Sequence, residues 1–469
     1  MPHVIISAAH KSSGKTTVSI GLCAALADRG LTVQPFKKGP DYIDPMWLAS
    51  ASGRDCYNLD FFTMQNDEIN QTFHRYNQAA DISIIEGNKG LYDGLDLDGS
   101  NSNAALATQL NAPVVLVLDA RGMTRGIAPL ILGYQGFDEN INIAGVILNQ
   151  LGGSRHEGKL RRVIEHYTDV KVIGAIHKHD DMAIVERHLG LIPSNEQESA
   201  SNYIANISKH IQNSVDLNQF IEIANTAPAS PKTDTTIVNK KISCRIAIAR
   251  DAAFGFYYAS DINAMRNAGA EIIEFDTLND SALPDDIDGL FIGGGFPESS
   301  MQALDDNAAM RKSIFDAIEA GLPAYAECGG MMYLSRSLSW KEKKNTMVGI
   351  IPGDTTMHDK PQGRGYVKIK ESDQFIWPQL THGASKQHQA HEFHYSSLDN
   401  FTLNDEFKPA YEMQRGHGIN GKFDGIMYKN LLACYAHQRN VDSNPWVERF
   451  IQFILINKSS KNLTGIKLC

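Results

Sequence analysis

Short apolar runs rich in β-branched residues punctuate the first half of the chain: His3 to Ala9, Leu31 to Phe36, Ile82 to Ile85, Pro113 to Leu118, Ile143 to Leu148 and Val170 to Ile176. Each has the length of a strand, and longer stretches of helical patterning lie between them. That alternation predicts a parallel sheet with helices on both faces. Ligands of such a sheet are expected at the C-terminal ends of its strands.

Thr226 to Thr236, TAPASPKTDTT, breaks the pattern with Pro, Ala, Ser and Thr and no apolar periodicity. Beyond it Arg245 to Ala249, Glu271 to Phe275, Gly289 to Ile292 and Pro323 to Ala326 again read as strands separated by helical stretches. The fold class is therefore α/β in two domains: residues 1–225, a linker at 226–243, and residues 244–469. A length of 469 residues agrees with two or three domains rather than one.

Composition narrows the function classes. With 54 acidic and 44 basic residues the net charge is -10, which gives no broad attraction to nucleic acid or to an anionic membrane. The apolar run Ala112 to Leu118 stops at Asp119, far short of the roughly 20 residues that span a bilayer. The cysteines Cys23, Cys56, Cys244, Cys328, Cys434 and Cys469 lack paired spacings, and Met1 to Ala9 runs into Lys11 rather than a cleavage site. Reduced thiols and a cytoplasmic location are expected.

The first strand empties into Ala8-Ala9-His10-Lys11-Ser12-Ser13-Gly14-Lys15-Thr16-Thr17, followed by the helical pattern Val18 to Arg29. Strand, tight loop, Gly-Lys-Thr and helix form a phosphate cradle: backbone N–H groups face the anion, Lys15 neutralises the outer phosphates and Thr16 can ligate magnesium. Ala9 stands where the common pattern has its first glycine. A carboxylate is needed to help hold the metal, and Glu86 closes the strand Ile82 to Ile85, with Asp93 seven positions on. Lys37-Lys38-Gly39-Pro40-Asp41-Tyr42-Ile43-Asp44-Pro45 leaves the same sheet end, which makes carboxylate or phosphate contact as reasonable there as solvated charge.

In the second half Pro323 to Glu327 breaks at Cys328, then Gly329, Gly330 and a helical stretch from Met331 to Leu334. This is the pattern of a nucleophile elbow, whose glycines permit a sharp turn that exposes sulfur at a helix N-terminus. Gly293-Gly294-Gly295-Phe296-Pro297-Glu298 could supply N–H donors to an oxyanion, and His437 follows the strand-like Leu431 to Ala436 as a candidate base. His391 and His394 are three apart in a strand-like stretch, the wrong spacing for a helical zinc motif. No metal is expected there.

With both ends in hand, the chain resembles the cobyrinate a,c-diamide synthase family, in which a dethiobiotin-synthetase-like ATPase domain is joined to a class I glutamine amidotransferase-like domain. The likeness is carried by GPDYIDP at Gly39 to Pro45, EGNKGLYDG at Glu86 to Gly94, GVILN at Gly145 to Asn149, ERHLGLIP at Glu186 to Pro193, ARDAAFGFYY at Ala249 to Tyr258, GGGFPE at Gly293 to Glu298, AECGGMMYL at Ala326 to Leu334 and HEFHYS at His391 to Ser396.

The resemblance implies that Cys328 attacks the glutamine amide, that His437 moves the protons, and that Gly294, Gly295 and Gly329 line the oxyanion and glutamine site. It implies ATP at Ser13, Gly14, Lys15, Thr16 and Thr17, with Asn149 reading adenine. Magnesium is expected at Thr16, Asp41 and Glu86, and Lys38, Asp41, Tyr42, Lys89 and Asp93 are expected around substrate and ATP. ATP phosphorylates a carboxylate of a tetrapyrrole polycarboxylate, and ammonia displaces phosphate; a homodimer is compatible with the family.

Two departures bear on the substrate. Asn88 and Lys89 replace apolar residues usual after Glu86, and Lys89 could hold an extra carboxylate. No glutamate follows His437 in Ala436-His437-Gln438-Arg439, where many glutaminases complete a triad. Beside the a and c carboxylates of cobyrinic acid stand two alternatives: the same chemistry on sirohaem or a nickel sirohydrochlorin, and a regulatory P-loop ATPase with an inactive glutaminase-like module.

Overall fold

A computed structural model describes residues 1–179, 186–187, 190–196, 200–229, 241–380 and 385–465. Residues 230–240 of the expected linker, His188 and Leu189 of the ERHLGLIP stretch, and Cys469 lie outside the described residues. The chain divides into two compact units, Met1–Phe61 with Gln65–Thr235, and Phe62–Met64 with Thr236–Cys469.

The first unit is built on a seven-stranded sheet of β1 (His3–Ala8), β2 (Val33–Lys38), β3 (Tyr57–Leu59), β4 (Ile82–Glu86), β5 (Val114–Asp119), β6 (Ile143–Leu151) and β7 (Val172–His177), in the order β3-β2-β4-β1-β5-β6-β7. Every pairing is parallel, as the alternation of runs predicts. The sheet is covered on both faces, so β1, β2 and β4 are buried at every position; apolar residues fill most of them, and the buried charges Lys37, Lys38 and Glu86 come at the C-terminal tips of β2 and β4. The first helix, α1 (Lys15–Asp28), is buried along most of its length because Ala200–Ser214 covers its outer side. Gly21 permits that approach: a Cβ there would lie 2.3 Å from Ile211 Cγ1.

The order places β4 and β5 on either side of β1, with Ile6 level with Glu86 in register. The tip of β4 therefore stands beside the loop that leaves β1. This is the crevice where a doubly wound sheet binds its ligand.

The second unit carries a nine-stranded sheet. Ala270–Phe275, Cys244–Ala249, Gly289–Ile292, Ala324–Glu327 and Leu431–Cys434 lie side by side and parallel. Phe423–Tyr428, Lys408–Arg415, Gly363–Glu371 and Gln387–His394 continue it antiparallel. Side-chain alternation feeds two cores: Ala247, Leu290, Ile292 and Ala326 face one, and Ile246, Ile248, Phe291 and Tyr325 the other. A separate four-stranded sheet, Lys343–Thr346, Ser335–Trp340, Ile351–Met357 and Ser396–Asp399, packs below the first of these cores. The α/β reading holds for this unit, and the mostly antiparallel strands between Ser335 and Tyr428, among which Ser335–Trp340 and Ile351–Met357 pair in parallel, are an addition to it.

Candidate active sites

The loop from Ala9 to Gly14 turns back on itself through left-handed backbone at Ser12 (φ 64°) and Gly14 (φ 84°) before α1 begins at Lys15. Ser13 Oγ donates to the His10 carbonyl at 2.8 Å, and Asn149 Nδ2 donates to the Ser13 carbonyl at 2.9 Å. A Cβ on Gly14 would sit 2.2 Å from that Asn149 nitrogen, so the glycine is required by contact as well as by φ. The Ala9 methyl is accommodated while its carbonyl accepts from Tyr134 Oη at 2.5 Å. Thr17 follows in the first turn of α1, half-buried.

Around the loop lies a buried charge cluster. Thr16 Oγ1 donates to Glu86 Oε1 at 2.6 Å and to Asp44 Oδ2 at 3.3 Å. The Lys37 ammonium donates to Asp44 Oδ2 at 2.5 Å and Glu86 Oε1 at 2.9 Å. Asp44 stands in the first turn of α2 (Ile43–Ser52).

Asp41, expected with Thr16 and Glu86, is placed differently. Its Oδ1 accepts from the backbone of Ile43 at 2.9 Å and Asp44 at 3.3 Å, and it reaches Lys37 only at 3.9 Å. It orders the start of α2, and the carboxylate brought to Thr16 is Asp44.

Burial and opposite charge set the protonation of this cluster. Burial brings Lys15 down to about 8 against the pull of Glu86. Desolvation and the Asp44 charge push Asp41 up to about 7, whereas Asp44, despite burial, is held below the usual carboxylate range by Lys37. Glu86 is raised, burial outweighing Lys37. Lys38 is brought down to about 8 by burial, with Lys89 and Lys37 adding to the effect and Asp60 opposing it.

The loop after β4 presents the remaining polar groups. Asp93 Oδ2 accepts from the Gly90 backbone at 2.9 Å, so Asp93 braces the loop. Asn103, fully buried, accepts from the Asn88 backbone at 3.1 Å and donates to the Gly90 carbonyl at 3.0 Å. Lys38 Nζ donates to Asn88 Oδ1 at 3.3 Å, Lys89 is exposed with φ 36°, and Tyr42 is buried. Lys37, Asp44 and Asn103 carry this site without having stood out as candidates; acids and lysines beside a Gly-Pro turn were the visible signal for the first two.

In the second unit the strand Ala324–Glu327 runs into Cys328 at φ 45°, ψ -102°, and the helix Gly329–Leu334 follows at once. That strained backbone on a non-glycine residue is the elbow expected from the sequence. Cys328 N donates to the Cys434 carbonyl at 2.7 Å, tying the elbow to the neighbouring strand. A Cβ on Gly330 would lie 2.2 Å from the Ile292 carbonyl, so only glycine fits behind the sulfur.

The structure brings the other expected residues together here. A Cβ on Gly294 would lie 2.6 Å from His437 Cε1, and one on Gly329 would lie 2.9 Å from Gly295 O and 3.0 Å from Gly295 N. Gly293 N is engaged by Tyr257 Oη at 2.9 Å. Burial alone would pull His437 down, but the Cys328 sulfur and the Glu327 carboxylate raise it to about 10.

Two features of this site were not visible as such in the sequence. His391 exchanges backbone hydrogen bonds with His437, at 2.8 Å and 3.3 Å, and their rings stack with centroids 4.8 Å apart. Burial and the charges of His437 and Arg439 hold His391 well below the ordinary histidine range. Glu327 Oε2 lies 3.5 Å from His437 Nδ1. Farther out, Asp424 accepts from the backbone N–H groups of Tyr435 at 3.0 Å and Ala436 at 2.8 Å, fixing the segment that carries His437.

Comparison with known proteins matches a family domain to each unit. Residues 5–192 match the CobQ/CobB/MinD/ParA nucleotide binding domain and residues 245–444 the CobB/CobQ-like glutamine amidotransferase domain. The chain is 42% identical over 460 residues to a cobyrinate a,c-diamide synthase of Magnetococcus marinus, covering 97% of each chain. It is 40% identical to one of Methanosarcina acetivorans, covering 94% of this chain and 93% of that one. A third, from Archaeoglobus fulgidus, is 38% identical over 96% of this chain and 97% of its own. Among the described residues no helix is long and apolar enough to cross a membrane.

Proposed function

The chain belongs to the cobyrinate a,c-diamide synthase family, a glutamine-dependent amidating ligase with an ATP-binding domain, and from that premise we propose that it converts the a and c carboxylates of cobyrinic acid to amides in the cytoplasm. The observation that carries the proposal is the pairing, in one chain, of a Lys15–Thr16–Glu86 phosphate site with a Cys328–His437 elbow. One supplies activation and the other nitrogen.

In the glutaminase step the Cys328 thiolate attacks the side-chain carbonyl carbon of glutamine, and backbone N–H groups near Gly295 and Gly329 receive the oxyanion. Collapse breaks the C–N bond; His437 gives its proton to the departing nitrogen, and ammonia leaves a thioester on Cys328. His437 then takes a proton from water, whose oxygen displaces sulfur to release glutamate.

In the synthetase step a substrate carboxylate oxygen attacks the γ-phosphorus of ATP, the bond to the β–γ bridging oxygen breaks and ADP departs, with Lys15 beside the transferring phosphoryl group and Ser13, Gly14 and Thr17 around the phosphates. The acyl phosphate is needed because an unactivated carboxylate is a poor electrophile. Ammonia adds to its carbonyl carbon and phosphate departs, leaving the amide. Asn149 holds the Ser13 carbonyl and with it the loop. Tyr42, Lys38, Lys89 and Asp93 belong to the rim that meets substrate.

Magnesium fits this site. Glu86 Oε2 is buried with no partner among the described residues, and Thr16 and Asp44 adjoin the same carboxylate. A magnesium ion keeps several waters and takes few protein ligands. Thr16, Glu86 and Asp44 would hold it, and when bound it neutralises phosphate charge.

The test is incubation of the pure enzyme with magnesium, ATP and glutamine against cobyrinic acid, hydrogenobyrinic acid, sirohaem and nickel sirohydrochlorin, with products followed by mass spectrometry. Two amidations of cobyrinic acid are expected. Amidation of only a sirohydrochlorin-type ring would overturn the substrate, and ATP turnover without any amide would overturn the ligase.

A further inference from the structure

Glu327 has no part in the chemistry above, yet its carboxylate is 3% exposed, and a charge that deep persists only beside a partner. Its two oxygens are used differently. Oε1 accepts from the Gln438 backbone N–H at 2.9 Å and from Tyr325 Oη at 2.5 Å. The Gln438 side chain is itself fixed, donating to Tyr325 Oη at 3.0 Å and Tyr411 Oη at 2.8 Å and accepting from Asn444 Nδ2 at 3.0 Å. With Oε1 held by residues on either side of the reacting pair, Oε2 is left facing His437 Nδ1 at 3.5 Å.

We propose that Glu327 is the positioning acid of the Cys328–His437 pair, supplied by the residue before the nucleophile instead of one following the histidine. It keeps Nδ1 of the ring turned to the carboxylate and the opposite edge turned to sulfur and amide nitrogen, and it balances the imidazolium until its proton passes to the departing nitrogen. Glu327 itself neither gains nor loses a proton. The parallel pairing of Ala324–Glu327 with Leu431–Cys434, level at Glu327 and Cys434, makes this possible by ending both strands at the same height. An acid adjacent in sequence to the nucleophile can then reach a histidine 110 positions later. The proposal rests on the glutaminase half of the function proposed above and is indifferent to the macrocycle.

Glu327→Gln is the informative change, because the new amide oxygen can still accept from Gln438 N and Tyr325 Oη while the charge facing His437 is removed. Glutamine hydrolysis by the full chain is measured against pH, beside synthesis from free ammonia. The expected result is a fall of about 100-fold in kcat/KM for glutamine, unchanged synthesis from ammonia, and a basic limb of the pH profile moved to lower pH, because the imidazolium has lost the carboxylate that balances it. Glu327→Asp, whose charge is drawn back by one methylene, should fall between.

A Gln variant with wild-type hydrolysis and pH limbs overturns the proposal. Should that variant lose ammonia-dependent synthesis as well, the Asp variant decides, and an unshifted basic limb there overturns it. Wild-type enzyme that hydrolyses glutamine but amidates no macrocycle refutes the substrate alone; wild-type enzyme that hydrolyses no glutamine refutes the glutaminase and this proposal with it.

Discussion

Asn149 Nδ2 reaches across from the end of β6 to the carbonyl of Ser13 at 2.9 Å, and so ties a strand tip to the turn that must cradle phosphate. The same amide lies against Gly14, where it fills the space a side chain would need. Asn149→Ala leaves a buried carbonyl unpaired, a cost of about 1–3 kcal/mol, and loosens the loop. We expect KM for ATP to rise about tenfold, with either nitrogen source. The comparison with GTP is decisive: a loop brace weakens both nucleotides alike, whereas an adenine reader would lose its preference for ATP.

Cys328→Ala should abolish glutamine use and leave synthesis from free ammonia within about twofold, because activation and nitrogen release reside in separate units of the fold. The pH behaviour of His437 follows from the same pair. Its folded value of about 10 lies above the ordinary value of about 6.5, so the folded chain holds this proton more tightly than the unfolded one. The stabilisation is fully present below about pH 6.5 and is lost as pH rises through 10. Removing the sulfur should lower the His437 titration, followed by NMR of its ring, and flatten the fall in stability between pH 7 and 10. An unchanged titration would separate His437 from Cys328.

Glu86→Gln should reduce synthesis about 100-fold with glutamine and with ammonia, while glutamine hydrolysis continues. The carboxylate receives Thr16 and Lys37 at once, so the neutral amide weakens the hold on magnesium and leaves Lys37 balanced by Asp44 and, at 3.9 Å, Asp41. Raising magnesium should recover part of the lost rate. Unchanged synthesis would remove Glu86 from the site.

Much of this was legible in the chain because α/β chemistry sits where strands stop. Glu86 and Cys328 each end an apolar run, and each lies at a strand tip in the structure. Glu327 is hidden for the opposite reason: no acid follows the histidine in sequence, and strand register brings one from the residue beside the nucleophile. Asp44 was masked by Asp41, since both follow the same Gly-Pro turn and only the start of α2 decides which one faces Thr16. The antiparallel strands from Gly363 to Tyr428 alternate polar with apolar residues, as in Gly363–Glu371. Such strands lack the continuous apolar runs by which the parallel ones announce themselves.

Lys89 is the position at which substrate choice can be tested without harming the fold. It is exposed at φ 36°, a backbone that side chains adopt at a cost and glycine adopts freely. Its charge bears on Lys38, and Lys38 donates to Asn88, so the two lysines and the amide form one polar rim. Lys89→Gly removes one ammonium and relieves the backbone together, so stability should hold or rise. At a solvent-facing site one ion pair contributes about 1 kcal/mol, which corresponds to a rise of about fivefold in KM for the macrocycle. KM for ATP should stay constant, and the difference from wild type should shrink as salt is added. An equal rise for ATP and macrocycle would place Lys89 on the nucleotide, and no rise for either would take it out of the rim.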